Sequence, residues 1–270
     1  MLKQRVITAI VLVALSIWAL FFSSDLVWKG VLLFVGFIAA WEWAAFAQLK
    51  VPALRLIYAL GIVVGANYAI DNFTIQNIAL LTLLEAIVLI SVVTRFQRTK
   101  GGLGSQSVGF IMLTGVLAVI LFVVSMAQFR GEFGPLVLLL SMLLVWAIDT
   151  GAYFSGRRFG KTKLAVHVSP GKTWEGVFGG AFLTLIITFI VLYFIQPQFN
   201  IASIFLALIL TLIAVFSVFG DLFESVLKRQ VGLKDSGKIL PGHGGVLDRI
   251  DSLIIAVPML YLAWHFSSAV

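Results

Sequence analysis

The sequence predicts an all-α integral membrane protein: a polytopic transmembrane helical bundle of about nine spans with its N-terminus in the cytoplasm. Three observations carry this reading. Of the 270 residues, 61% are hydrophobic and 11% charged, with a mean hydropathy of +1.08, whereas a soluble domain carries roughly 25% charged residues. So little polar surface cannot cover a globule in water. The apolar residues also fall in stretches of about 20, the length of a helix crossing the hydrocarbon core, rather than in the alternation of a membrane barrel. Finally, the basic residues collect in every second connection.

The spans fall at about 6–23, 26–47, 53–70, 75–94, 108–127, 135–155, 176–195, 201–222 and 250–267. The third and ninth are short or interrupted. The opening MLKQR and the apolar run after it resemble a signal peptide. That apolar run is long, however, and no small-residue cleavage site precedes the second span, so it reads as a retained first helix. Of the 19 Lys and Arg residues, all but Lys29 and Arg130 lie at the N-terminus or in the even-numbered connections. They are Lys3 and Arg5, Lys50 and Arg55, Arg95, Arg98 and Lys100, the cluster from Arg157 to Lys172, and the cluster from Lys228 to Arg249. Positive residues mark the cytoplasmic side, which puts the N-terminus inside, the C-terminus outside and the two long loops, about 156–175 and 223–249, in the cytoplasm. The chain divides into N-terminal helices, 1–134, and C-terminal helices carrying those loops, 135–270, as one membrane unit. No internal repeat is evident, and no span shows a clear small-xxx-small seam. The absence of cysteine excludes disulfides and thiolate metal sites. A net charge of +7 would suit nucleic acid, but the juxtamembrane placement of the cations suits membrane lipid and small polyanions instead, so no nucleic acid is expected.

The segment Ser225–Asp251, SVLKRQVGLKDSGKILPGHGGVLDRID, concentrates both signs of charge around a glycine-rich turn. Lys228, Arg229, Lys234, Lys238 and Arg249 stand among Asp235, Asp248 and Asp251, with Gly242, Gly244 and Gly245 between them. Asp221, Glu224, Ser225 and Lys228, at i, i+3, i+4 and i+7, share one helical face. Asp248 and Asp251 share another. Carboxylates in or at the ends of apolar spans are expensive and point to function. Asp149, Asp221, Asp248 and Asp251 come to a similar depth near the cytoplasmic surface, and two acidic faces there could hold a hard divalent cation, magnesium where phosphates supply the other ligands. Each acid taken alone could equally be a charge partner: Asp251 of Arg249 or Lys228, Asp149 of Arg157. Glu42, between Trp41 and Trp43, reads as either functional or an interfacial residue in a tryptophan belt, and Glu85 as an interhelix hydrogen bond. Both stay outside the core site.

In the other long loop, Arg157, Arg158, Lys161, Lys163 and Lys172 suit an anionic lipid surface. Ser169-Pro170-Gly171-Lys172-Thr173 is more specific: a turn before a helix offers N–H groups and hydroxyls to a phosphate, with Lys172 as a point charge. Glu175 falls in the first helical turn, where the dipole favours an acid. A Walker A motif is excluded, because it would need a glycine at Val166. His243, in PGHGG, either contacts phosphate or nucleotide or merely occupies a tight turn.

Ser225-x-Leu227-Lys228-Arg229, then Lys234-Asp235-x-Gly237, then Leu240-Pro241-x-His243-Gly244-Gly245-x-x-Asp248-Arg249-x-Asp251 resembles, without departure, the signature of the phosphatidate cytidylyltransferases, or CDP-diacylglycerol synthases. SPGKTWEG is similar to that family too. The resemblance implies that CTP and phosphatidic acid give CDP-diacylglycerol and pyrophosphate, with Mg2+ and, as a further candidate, a monovalent cation such as K+. On this reading Asp221 and Asp248 bind metal, with Asp251 and Asp149 as further ligand candidates. Asp221, Asp248, Lys228 and Arg249 form the catalytic set. Ser169, Lys172, Thr173, Ser225, Arg229, Lys234, His243, Gly244 and Gly245 bind substrate. The resemblance also implies a homodimer in a bacterial cytoplasmic membrane. The alternatives are a CTP-dependent polyprenol or dolichol-type lipid kinase and an anion transporter.

Overall fold

A computed structural model describes residues 2–101, 107–196 and 199–268, with side chains from 6 to 267 within those ranges. The side chains of Lys3 and Arg5, which entered the charge asymmetry, lie outside the described residues. The elements are α1 Leu2–Phe21, α2 Asp25–Phe46, α3 Pro52–Asn72, α4 Ile75–Arg98, α5 Val108–Phe159, β1 Lys163–Ala165, β2 Ser169–Thr173, α6 Trp174–Ile195, α7 Ile201–Phe216, α8 Val218–Gln230 and α9 Leu247–Ser268. Seven helices among the described residues are long and apolar enough to cross a membrane.

A helix in hydrocarbon satisfies its own backbone except at its ends, and here the ends carry polar caps. Ser24 accepts from Val27 N and Ser107 from Phe110 N, while Thr74 with Asn77 and Asn200 with Ser203 form capping boxes. α5, at 52 residues, would measure about 78 Å at 1.5 Å per residue, more than twice the hydrocarbon core. It breaks at Gly134 (φ 82°, ψ 168°), a left-handed residue that only glycine adopts freely, followed by Pro135. The expected connection at 128–134 is thus a helix break with no loop. α5 packs on α6, α9, α2 and α3 and forms the centre of the bundle. Large apolar side chains such as Ile10, Val64, Leu113, Phe182 and Leu212 cover the outside, as lipid contact requires.

The all-α class stands, with one addition: β1 and β2 pair antiparallel as a short hairpin within the 156–175 connection. Two expectations need correction. The last two long segments reach further than the hydropathy suggests. α8 runs to Gln230 on a polar face, and α9 begins at Leu247, so the loop between them is 231–246. A small-residue seam does exist, and it lies within the chain. A Cβ at Gly151 would stand 2.8 Å from Gly180 Cα, and one at Gly179 2.1 Å from Ser155 Oγ. Gly151, Ala152 and Gly156 on α5 therefore meet Gly176 and Gly180 on α6 at backbone contact, the close approach that small residues permit.

The bundle has two different ends. At one, Arg130 donates to Leu20 O (2.9 Å), Ser23 O (2.8 Å) and Asp25 Oδ1 (2.8 Å), and Lys29 pairs with Asp71 (2.7 Å). At the other lie the hairpin and the 231–246 loop.

Candidate active site

The loop between α8 and α9 is shaped by its glycines. His243 N donates to Leu240 O (2.9 Å), with Pro241 and Gly242 (φ 77°) between them: a type II turn, with proline at the second position and a left-handed glycine at the third. Leu240 N to Gly244 O (2.9 Å) closes the turn on itself. Gly244 is also left-handed (φ 84°), and a Cβ on it would stand 2.7 Å from Asp248 Oδ2.

Asp248, at the start of α9, accepts on both oxygens. Lys228 Nζ reaches Oδ1 at 2.7 Å, while Ser236 N (2.8 Å), Ser236 Oγ (3.0 Å) and Gly245 N (2.8 Å) converge on Oδ2. Glu42, from the C-terminal part of α2, sits just beneath. Its carboxylate accepts from Val246 N (3.1 Å), Leu247 N (2.9 Å) and Ser236 Oγ (3.1 Å). The first N–H groups of α9 have no partner within their own helix. Here a carboxylate from a distant helix supplies the cap, where the helix dipole favours it. Gly237 and Gly245 must be glycine for the same reason, since a Cβ at either would fall within 2.6 Å of Glu42 oxygens. Glu42 is 3% exposed. It was legible as an expensive buried charge, but the sequence gives no sign that its partners lie some 200 residues away.

The predicted face of α8 forms. Ser225 Oγ donates to Asp221 Oδ1 (3.3 Å), and Lys228 bridges Glu224 Oε2 (3.0 Å) and Asp248. The SPGKT segment meets the α8 face through Lys172, whose Nζ lies 2.6 Å from Asp221 Oδ2. Asp149 and Asp251 form no ion pair among the described residues, although Lys228 acts electrostatically on Asp251 as read, and Lys172 rather than Arg157 acts on Asp149. Asp149 lies within electrostatic range of both Lys172 and Asp221, and takes a long contact from Ser252 Oγ (3.5 Å). Asp251 interacts with Asp221 and with Glu224. Glu85, Glu224 and Asp251 line a cavity of about 10 Å³, room for one water-sized occupant. Neither Glu85 oxygen has a hydrogen-bond partner among the described residues, so the interhelix bond expected of it is not made.

SPGKT forms β2, and Thr173 Oγ1 accepts from Gly176 N (3.2 Å), capping α6. Ser169 pairs opposite Ala165. Glu175 holds the hairpin by accepting from Thr162 N at 3.0 and 3.1 Å. Arg229, Lys234 and Arg249 are exposed and form no ion pair among the described residues. His243 Nδ1 is buried with no hydrogen-bond partner among the described residues.

The acids offer hard oxygen donors of the kind magnesium prefers, yet among the described residues no three acid or histidine side chains converge as a ready-made cage. That suits magnesium, which takes one or two carboxylates and fills its octahedron with water and substrate phosphates. Asp221 and Asp248 would each have to release a lysine, Lys172 and Lys228, to take a metal, whereas Asp251 forms no ion pair among the described residues.

A family model described as the cytidylyltransferase family matches residues 3–267. The chain is 39% identical to a phosphatidate cytidylyltransferase of Haemophilus influenzae, over 98% of this chain and 99% of that protein. It is 37% identical to one of Pseudomonas aeruginosa (96% and 95%) and 33% identical to one of Bacillus subtilis (96% and 96%).

Proposed function

The chain belongs to the cytidylyltransferase family, and from that premise we infer that it joins CTP to phosphatidic acid in the membrane, giving CDP-diacylglycerol and pyrophosphate. A phosphate oxygen of phosphatidate attacks the α-phosphorus of CTP. The bond from that phosphorus to the oxygen bridging to the β-phosphate breaks, and pyrophosphate leaves with the electron pair. The attacking oxygen is already ionised at neutral pH, so the protein needs no strong base. Its work is positioning and neutralising charge. The observation that carries this reading is the pair of ionic contacts Lys172–Asp221 and Lys228–Asp248, which brings the cations and acids of both motif segments together at one end of the bundle.

In this reading Lys228, Arg229 and Arg249 hold phosphates, helped by Ser225 and Lys234, with Ser169, Lys172 and Thr173 at a second contact and His243, Gly244 and Gly245 shaping the turn. Asp221 and Asp248 would hold Mg2+, with Asp251 and Asp149 as further ligands. Bound there, the ion would offset charge on the triphosphate and on the departing pyrophosphate. Counting α5 as two spans at Gly134 and α7 with α8 as one gives nine, with the N-terminus and the reacting loops in the cytoplasm. The 1–134 and 135–270 halves meet at that break within one unit. We place the protein in the cytoplasmic membrane as a homodimer.

CTP labelled separately at the α- and γ-phosphates tests the reaction on detergent-purified protein with phosphatidate and magnesium. The expected result is α label in lipid and γ label in pyrophosphate. γ label in lipid would make the protein a lipid kinase, and no labelled lipid from folded protein would end the enzyme reading.

A further inference from the structure

A cleft of about 700 Å³ opens between the turn joining α2 to α3 and the first half of the 231–246 loop. Lys50 and Arg55 line one wall, Lys234 and Lys238 the other, and Asp235 is the one acid on it. Among the described residues none of these four cations is in an ion pair, although each of the two cations at the opposite end of the bundle is. Arg55 is held in place by its Nε, which donates to Leu49 O (2.5 Å) and leaves the rest of the guanidinium free. Gln48, left-handed at φ 53°, ends α2 sharply and turns the chain towards Lys50. Four cations against one carboxylate, gathered by two segments nearly 200 residues apart, form a site for a polyanion.

The floor of the cleft gives the occupant its context. Ser236 and Gly237 line it, and Ser236 is the residue that Glu42 and Asp248 share. Whatever fills the cleft therefore rests against the catalytic loop. Its volume lies in the roughly 300–1,000 Å³ range of small-ligand sites. Ala45, Val231 and Leu233 add a short apolar wall, enough for one face of a base and too short for two acyl chains. A phosphomonoester brings about two negative charges, whereas a nucleoside triphosphate brings more and better matches four cations.

We propose that this cleft is the nucleotide-binding site, in which Lys50, Arg55 and Lys238 act beside Lys234 to hold the triphosphate of a pyrimidine nucleotide arriving from water. The proposal rests on the cytidylyltransferase reading for the identity of the nucleotide, and it assigns residues that lie outside both motif segments.

Lys50→Gln and Lys238→Gln test it, since both side chains are exposed and neither makes a hydrogen bond that the fold depends on. Two quantities are measured on each purified protein: equilibrium binding of labelled CTP without phosphatidate, and the KM values for CTP and for phosphatidate in mixed micelles. Each substitution is expected to weaken CTP binding and raise its KM about fivefold, and the double variant about twentyfold, as loss of one exposed ionic contact apiece implies. The KM for phosphatidate stays in place, and Lys29→Gln at the opposite end changes neither. A rise in the phosphatidate KM alone would make the cleft a lipid headgroup site and overturn the proposal, as would unchanged CTP binding. The two readings separate cleanly. If no CDP-lipid forms but CTP binding still weakens in the variants, the cleft stands and the transferase falls. If CDP-lipid forms and the variants bind CTP normally, the reverse holds.

Discussion

The two ends of the bundle use charge in opposite ways. At the end holding Arg130, each cation is matched to one acid, and the connections are only a few residues long. Arg130 is 10% exposed and ties α5 to the turn between α1 and α2 through two carbonyls, with its guanidinium over Trp28 at 5.4 Å. At the loop end Lys172 and Asp221 pair one to one, but the rest is shared. Lys228 serves two carboxylates, Asp248 takes four donors, and among the described residues several cations form no ion pair. A closed set of pairs fixes helices, while a shared set with surplus cations can exchange partners when a polyanion arrives. The difference separates a structural end from a working one, and substitutions at the two ends should report it through different measurements.

The largest effect is expected from Asp248→Asn. It removes the negative charge from a pair whose side chains are 12% and 7% exposed, while Lys228 keeps Glu224 as its counter-charge, so the cation is not stranded. CDP-lipid synthesis should fall at least about a hundredfold, the scale expected when one preorganised charged group is lost from a reacting site, while expression and behaviour in detergent stay close to normal. An active Asp248→Asn protein with unchanged metal dependence would remove Asp248 from the ligand set and from the hub of the loop.

Glu42→Ala comes next. It strands Val246 N and Leu247 N at the start of α9, each a loss of about 1–3 kcal/mol when the group stays buried, so turnover should drop roughly tenfold to a hundredfold. Glu42→Gln keeps one acceptor oxygen but turns an amide N–H towards a loop N–H, and should fall between. Gly245→Ala puts a Cβ 2.1 Å from Ser236 Oγ and 2.5 Å from Glu42 Oε2, so it should damage the same assembly. The double variant Glu42→Ala with Gly245→Ala should be clearly less than the product of the two, because each disrupts one shared contact. Simple multiplication of the two losses in a kinetic double-mutant cycle would show that Glu42 does not act through the loop.

How much of this was legible follows from what each feature depends on. The multi-pass helical character was legible because hydropathy and length are local: seven helices among the described residues are long and apolar enough to cross a membrane. The α8 face at Asp221, Glu224, Ser225 and Lys228 follows from helical spacing, and the Leu240–His243 turn follows from Pro-Gly chemistry. What escaped was set by packing. Lys172 finds Asp221 only because the α5–α6 glycine seam and the hairpin carry it there, and no spacing rule spans that distance. Glu42 stood out by its cost in an apolar helix, but its partners are backbone N–H groups, which leave no mark in a sequence. The connection read at 128–134 shrank to a single residue: the helix continues up to a break at Gly134, and the next helical stretch starts at Pro135.

The smallest effects belong to the opposite end and test whether its pairs matter as pairs. Asp25 is 99% exposed and Asp71 64% exposed, so the ion pairs themselves should contribute about 0–1 kcal/mol. Asp25→Asn and Lys29→Gln should shift the melting temperature in detergent by no more than a degree or two. Arg130→Leu should cost several times more, because it leaves Leu20 O and Ser23 O without their donor and empties the face of Trp28. All three variants should keep the KM values of the parent protein. If Asp25→Asn destabilised the protein as much as Arg130→Leu, the matched pairs would be holding this end by charge. If it does not, the carbonyls and the ring hold it, and the acid at 99% exposure is there only to balance a cation that the helix ends require.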